Sequence, residues 1–142
     1  MALLATIAIE DLRVRLATTH LRWDPPGTPT AQRWAIREAR ELIANLPAPS
    51  IICGDLNVEA DDEVHRLLHQ AGFVDPHLAD ARPTCNPNGR AKRIDYILHT
   101  RDLRSLAVPP QHIADHTPLP SSAMPSDHLP IEVMLGGADP RR

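Results

Sequence analysis

Four short polar groups stand out because each abuts an apolar run: Thr19-His20-Leu21, Gly54-Asp55-Leu56-Asn57, Arg93-Ile94-Asp95-Tyr96 and Ser126-Asp127-His128-Leu129-Pro130. Taken singly, each has an ordinary explanation, since Asp-x-Asn after a strand makes Asx turns or helix caps, and Ser-Asp-His can simply begin a strand. Taken together, they put His20, Asp55, Asn57, Asp95, Asp127 and His128 at strand ends, which in open α/β structures converge on one edge of a sheet. Carboxylates gathered there repel one another unless a cation or a protonated imidazole relieves the repulsion. Oxygen ligands from Asp and Asn are what Mg²⁺ or Mn²⁺ accepts, with several waters retained. Such a metal, an imidazole to orient or deprotonate water, and an amide to steady developing charge are the parts phosphoester hydrolysis requires.

Further residues are candidates for holding a substrate. Arg90, Lys92 and Arg93 follow the turn Asn86-Pro87-Asn88-Gly89 as a local basic run suited to a phosphate, the alternative being a solvated loop. Trp23, on the loop after His20, could stack on a base or ring, although packing under the following helix is the more usual fate of such an aromatic. His65 and His69 stand four apart, a zinc-ligand spacing, but no third ligand follows, so both are expected on a helix surface. His112 and His116, in a proline-bounded loop, are read the same way. Cys53 and Cys85 are expected to be reduced packing residues.

These residues need a scaffold, and 142 residues suffice for a single domain. A net charge of −3 and 42% hydrophobic residues place the chain among soluble proteins and exclude a general DNA coater. Aromatic residues are 3% of the chain, so rows of base-stacking platforms are excluded too. No apolar run approaches the roughly 18 residues of a membrane helix, and Met1 to Ile9 has no secretory-signal pattern. The expected location is the cytoplasm.

The periodicity predicts a hairpin from Leu3 to Ile9 and from Leu12 onward, where Leu12, Val14 and Leu16 alternate with polar residues. Thr28 and Pro29 are read as N-cap and first residue of a helix whose stripe is Ala35, Ala39, Leu42, Ile43 and Leu46, ending at Pro47. Ser50 to Cys53 reads as a central strand covered on both faces. A second helix begins at Asp61-Asp62-Glu63, buries Val64, Leu67, Leu68 and Ala71, and closes at Gly72. Strands follow at Ile94 to Leu98, Leu103 to Val108 and Ile131 to Leu135, and residues 136–142 are expected to be a frayed tail after a 1–135 domain.

In order, the four groups resemble the signature of the endonuclease/exonuclease/phosphatase superfamily, the DNase I-like metal-dependent phosphodiesterases, nucleases and phosphatases. The resemblance runs from about Leu12 to Val133. It implies an α/β fold, the C-terminal half of a four-layer α/β sandwich, and hydrolysis of a phosphoester that could belong to a nucleic acid, a lipid or a small phosphate. It implies that His20 contacts the scissile phosphate, that Asp55 and Asn57 orient water and can hold a second metal, and that Asp95 aligns the catalytic imidazole of His128. Asp127 matches a metal-associated carboxylate. The loop from Thr19 to Pro25 further resembles the deadenylase-like branch. The family's first half, with its metal-binding Glu, has no match here, and Glu10 sits in the expected hairpin turn where an acid needs no function. The expectation is therefore an enzyme incomplete as this chain alone: a fragment, a truncated product, or a protomer pairing through an exposed sheet face as a homodimer or with another chain. The alternative is a non-catalytic remnant or interaction module that uses that face.

Overall fold

The computed structural model describes residues 2–9 and 11–137, with Ile9 described by its backbone alone. Glu10 lies outside the described residues, as do 138–142 of the expected tail.

Strands β1 (Ala2–Ile9) and β2 (Leu12–His20) form the expected antiparallel hairpin, with Leu3 opposite Thr18 and Ile7 opposite Val14. Helix α1 (Trp34–Asn45) carries the chain to β3 (Ser50–Asp55), which runs parallel to β2 as a helical crossover requires. After α2 (Glu63–Gln70), the two-residue strand β4 (Phe73–Val74) pairs with β5 (Asp95–Thr100). β5 lies antiparallel to β3, so the mixed sheet has the order β1-β2-β3-β5-β4. β6 (Leu103–Val108) and β7 (Glu132–Gly137) form a separate antiparallel pair. β7 thus takes in Gly136 and Gly137, which the sequence reading assigned to the frayed tail.

Both helices cover one face of the large sheet. Ala35, Ile36, Ala39 and Leu42 of α1 and Val64 and Leu68 of α2 close on Ala17, Ile52, Tyr96 and Leu98 in one apolar cluster. The expected stripe of α1 is therefore the buried one, with Ile43 only partly covered. On α2, Val64 and Leu68 are buried, whereas Leu67 is half-buried and Ala71 exposed. The opposite face of the sheet is less covered: Ile51 and Cys53 are only half-buried, so β3 is not enclosed on both faces as its apolar run suggests.

The start of α1 also differs from expectation. Thr28 donates its hydroxyl to the carbonyl of Pro25, and a short 3₁₀ turn (Thr30–Gln32) intervenes before the helix begins at Trp34. The first helical N–H groups, of Trp34 and Ala35, donate to the two carboxylate oxygens of Asp24 at 2.9 and 3.0 Å. A carboxylate at that end suits the helix dipole, and Arg33 holds it from 3.6 Å. The cap of α2 is local: Asp62 accepts from Val64 N–H at 2.8 Å.

Candidate active site

Sheet register brings the first three site residues together. His20 is the partner of Asp55 across β2 and β3, and Asp55 is the partner of Asp95 across β3 and β5, so the three stand on one rung at the sheet's edge. The ladder continues past that rung, with Leu21 N–H donating to Asp55 O and Leu56 N–H to Ile94 O, both at 2.9 Å. Gly54 makes the close approach possible: its φ is +136°, and a Cβ there would collide with the Thr19 carbonyl. Asp55 Oδ1 accepts from Asn57 N–H at 2.7 Å, an Asx turn that holds Asn57 at φ 54°. The Asn57 amide donates to Leu21 O at 2.7 Å, tying the loop after β3 to the end of β2.

His128 arrives from far along the chain. Cys85 bridges both Lys92 and His128 in antiparallel fashion, Asn86 N–H donates to Asp127 O, and Leu129 N–H donates to Thr84 O. This lays the segment 127–129 along 84–86 and sets the His128 Nδ1–H against Asp95, 3.1 and 3.0 Å from its two oxygens. The carboxylate fixes the tautomer and leaves Nε2 as the outward nitrogen. Asp95 is itself held by the Thr84 hydroxyl, which donates to Oδ2 at 2.6 Å and accepts from the N–H groups of Ile94 and Asp95. Asn86, buried, donates its amide to the carbonyls of Ala114, Asp115 and Thr117 and anchors the loop before Ser126.

The charges interact. Burial acts most strongly on Asp55 and raises its carboxyl; the Asn57 N–H opposes this, Asp95 adds to it, and His20 and His128 oppose it, the net shift being upward. For His128, burial is the largest influence and disfavours the cation, but the hydrogen bond and charge of Asp95, with the charges of Asp55 and Asp127, prevail and raise it. His20 Nε2 lies 3.5 Å from Asp55 Oδ2 and is mostly in solvent. Burial first, then Asp95, Asp55 and Asp127, pushes the Cys85 thiol up to about 12. Register and hydrogen bonds thus bring His20, Asp55, Asn57, Asp95 and His128 together, and Asp127 adjoins them through its charge on His128.

The candidate substrate residues divide. Trp23 does not pack under α1: it is 57% exposed and shares an open cleft of about 430 Å³ with Asn57 and Lys92. Arg90 is exposed nearby in sequence. Arg93 points the other way, a correction to the sequence reading. Its guanidinium is buried, 2.6 Å from Asp75 Oδ1 and stacked 4.6 Å from the centre of the Tyr96 ring. His65 is likewise not a surface histidine: it is buried, with Nε2 3.1 Å from Asp75 Oδ2. His69, His112 and His116 are exposed, and Cys53 and Cys85 are free thiols.

Sequence reasoning missed Thr84, Asn86 and Asp24. Each acts on a partner at least ten residues away, and the only local signal was a short polar residue within a loop.

Among the described residues, no helix is long and apolar enough to cross a membrane. The family model for the Endonuclease/Exonuclease/phosphatase family matches residues 3–128. No curated protein matches significantly. Solved structures share the fold. An endonuclease/exonuclease/phosphatase from Beutenbergia cavernae superposes with TM-score 0.67 at 22% identity, over 94% of this chain and 38% of that one. The human Nocturnin catalytic domain with bound sulfate gives 0.61 at 21%, over 95% and 52%. A mannosyl-6-phosphatase from Bacteroides thetaiotaomicron gives 0.57 at 18%, over 89% and 52%. The chain thus spans between 38% and 52% of these three structures. With most of its length matched by the family model and its sheet superposing on members of that fold, the chain belongs to the endonuclease/exonuclease/phosphatase family.

Proposed function

We infer that this chain carries part of the machinery of a Mg²⁺- or Mn²⁺-dependent phosphoester hydrolase. The observation that carries this reading is the Asp95–His128 pair, set beside Asp55 and Asn57 on a sheet edge with the imidazole Nε2 outward. Nε2 can take a proton from water or support charge on a phosphate oxygen, Asp95 keeps the ring oriented, and the exposed His20 is placed to meet a phosphate.

The donor chemistry suits a hard cation held loosely. Asp55, its carboxyl raised by burial and the Asp95 charge, offers oxygens with Asn57 beside it, and Asp127 offers another next to His128. Among the described residues, Asp55 and Asp127 belong to no group of three ligands close enough to enclose an ion. Mg²⁺ characteristically takes one or two carboxylates and fills its shell with water and substrate phosphate. Bound there, it would neutralise charge on the phosphate. Because the chain spans about half of its structural neighbours, it supplies only part of the site, and its turnover alone is slow.

The test uses the purified chain and an activated diester, bis(p-nitrophenyl) phosphate. Slow Mg²⁺-dependent hydrolysis is expected, reduced about 10²-fold or more in His128→Ala. No turnover, together with Mg²⁺-insensitive amide resonances at Asp55, Asn57 and Asp127, would overturn the reading. Turnover at rates of complete enzymes, about 1–10³ per second, would remove the claim that the chain is insufficient.

One observation favours a second role as an interaction module. Residues 2–8 of β1 are all exposed at the sheet's edge, Leu3 at 69%, which suits pairing with a second copy or another chain.

A further inference from the structure

Cys85 lies beside the hydrolytic pair, and no step proposed above uses it. The bridge between Cys85 and His128 sets the two backbones directly opposite each other. The Cys85 sulfur, a carboxylate oxygen of Asp95 and an imidazole nitrogen of His128 lie within 4.8 Å of one another. The three belong to three separate segments of the chain, so their meeting is a product of the fold.

We propose that Cys85, Asp95 and His128 form a binding site for a thiophilic divalent ion of the Zn²⁺ class, distinct from the hard-cation position at Asp55 and Asp127. One thiolate, one imidazole and one carboxylate are a zinc donor set, and they are a poor one for Mg²⁺. Ligands in a tetrahedral zinc site stand roughly 3.5 Å apart. His128 Nδ1 and Asp95, 3.0 Å apart, are already within that spacing, and no separation among the three exceeds it by more than about 1.3 Å. Asp95 can ligate through Oδ1 while the Thr84 hydroxyl keeps Oδ2. The ion enters from the side of His128 and Asp95, whose side chains are 35% and 15% exposed, because Cys85 itself has no exposed surface.

Protons balance in binding. The Cys85 S–H proton passes to solvent, and the imidazole nitrogen that ligates gives up any proton it carries, to solvent or to the other ring nitrogen. The resting thiol, pushed up to about 12, is protonated and is no nucleophile; a bound zinc-type ion stabilises its thiolate. The fourth position stays open. If the hydrolase reading holds, an ion here withdraws His128 and Asp95 from catalysis and acts as an inhibitor; the site itself does not depend on that reading.

The test is spectroscopic and independent of turnover. The whole chain is titrated with Co²⁺ as a probe, then with Zn²⁺. A near-ultraviolet thiolate-to-cobalt charge-transfer band is expected, bleached by Zn²⁺ and untouched by a large excess of Mg²⁺. Cys85→Ala should abolish the band and weaken Zn²⁺ binding about tenfold or more. The chain has two cysteines, so retention of the band in Cys53→Ala assigns it to Cys85 even if Cys85→Ala does not fold. X-ray absorption at the zinc edge should find one sulfur at about 2.3 Å among nitrogen and oxygen ligands. Absence of the band, its loss in Cys53→Ala, or a zinc shell of light atoms alone would overturn the proposal.

Discussion

Thr84 has one proton and gives it to Asp95, because its oxygen already accepts from two backbone N–H groups. The hydroxyl is thereby oriented, and so is the carboxylate that orients His128. Thr84→Val should cost about 2 kcal/mol in urea unfolding, through two amides left without an acceptor, while Thr84→Ser stays near wild type. In the valine variant the His128 Nδ1–H resonance should exchange faster with water, a change a purely structural threonine would not produce. Gly54 offers a second test: Gly54→Ala should lose about 3 kcal/mol or more in the same measurement, since its backbone conformation and the Thr19 carbonyl both exclude a side chain. The clustered polar residues were legible because the motifs name them. Thr84 was not, since nothing in Pro83-Thr84-Cys85 says where the hydroxyl points.

The elements were read well where the signal is periodic and poorly where it is remote. The hairpin and the stripe of α1 follow from spacing, and the strands expected at Ile94 to Leu98 and Leu103 to Val108 correspond to β5 and β6. β4 has only two residues, too few for alternation to register, and the cap of α1 comes from Asp24, ten residues before the helix starts. The buried network joining α2, the segment after β4 and the start of β5 was invisible for the same reason: Asp75 collects His65, Arg93 and the His77 N–H. Burial alone would raise the Asp75 carboxyl, but these partners prevail and hold it at about 2 instead of 3.8. The contribution to stability, about 2 kcal/mol, is complete above the unfolded value. It declines as pH falls below about 4 and is gone below about 2. Urea titrations between pH 5 and pH 2 should show this loss in the wild type, and Asp75→Asn, less stable at pH 5, should show a flatter profile. Asp24→Ala should cost about 1 kcal/mol by releasing two helix N–H groups.

The whole molecule presents an asymmetric sheet, one face under both helices and the other partly bare. Leu3 and Ile7 stand on the bare face at the free edge, at 69% and 36% exposure, and β1 pairs only with β2 among the described residues. Leu3→Lys with Ile7→Lys should lower self-association in sedimentation velocity while leaving the circular dichroism spectrum unchanged; an unaltered sedimentation profile from an associating wild type would place the contact elsewhere. The rung that joins His20, Asp55 and Asp95 makes their grouping depend on strand alignment. Alternate side chains leave a strand in opposite directions, so sliding β3 by one position would turn Asp55 toward the helices and aim an apolar group at His20. Engineered insertions within these strands should therefore scatter the three side chains abruptly.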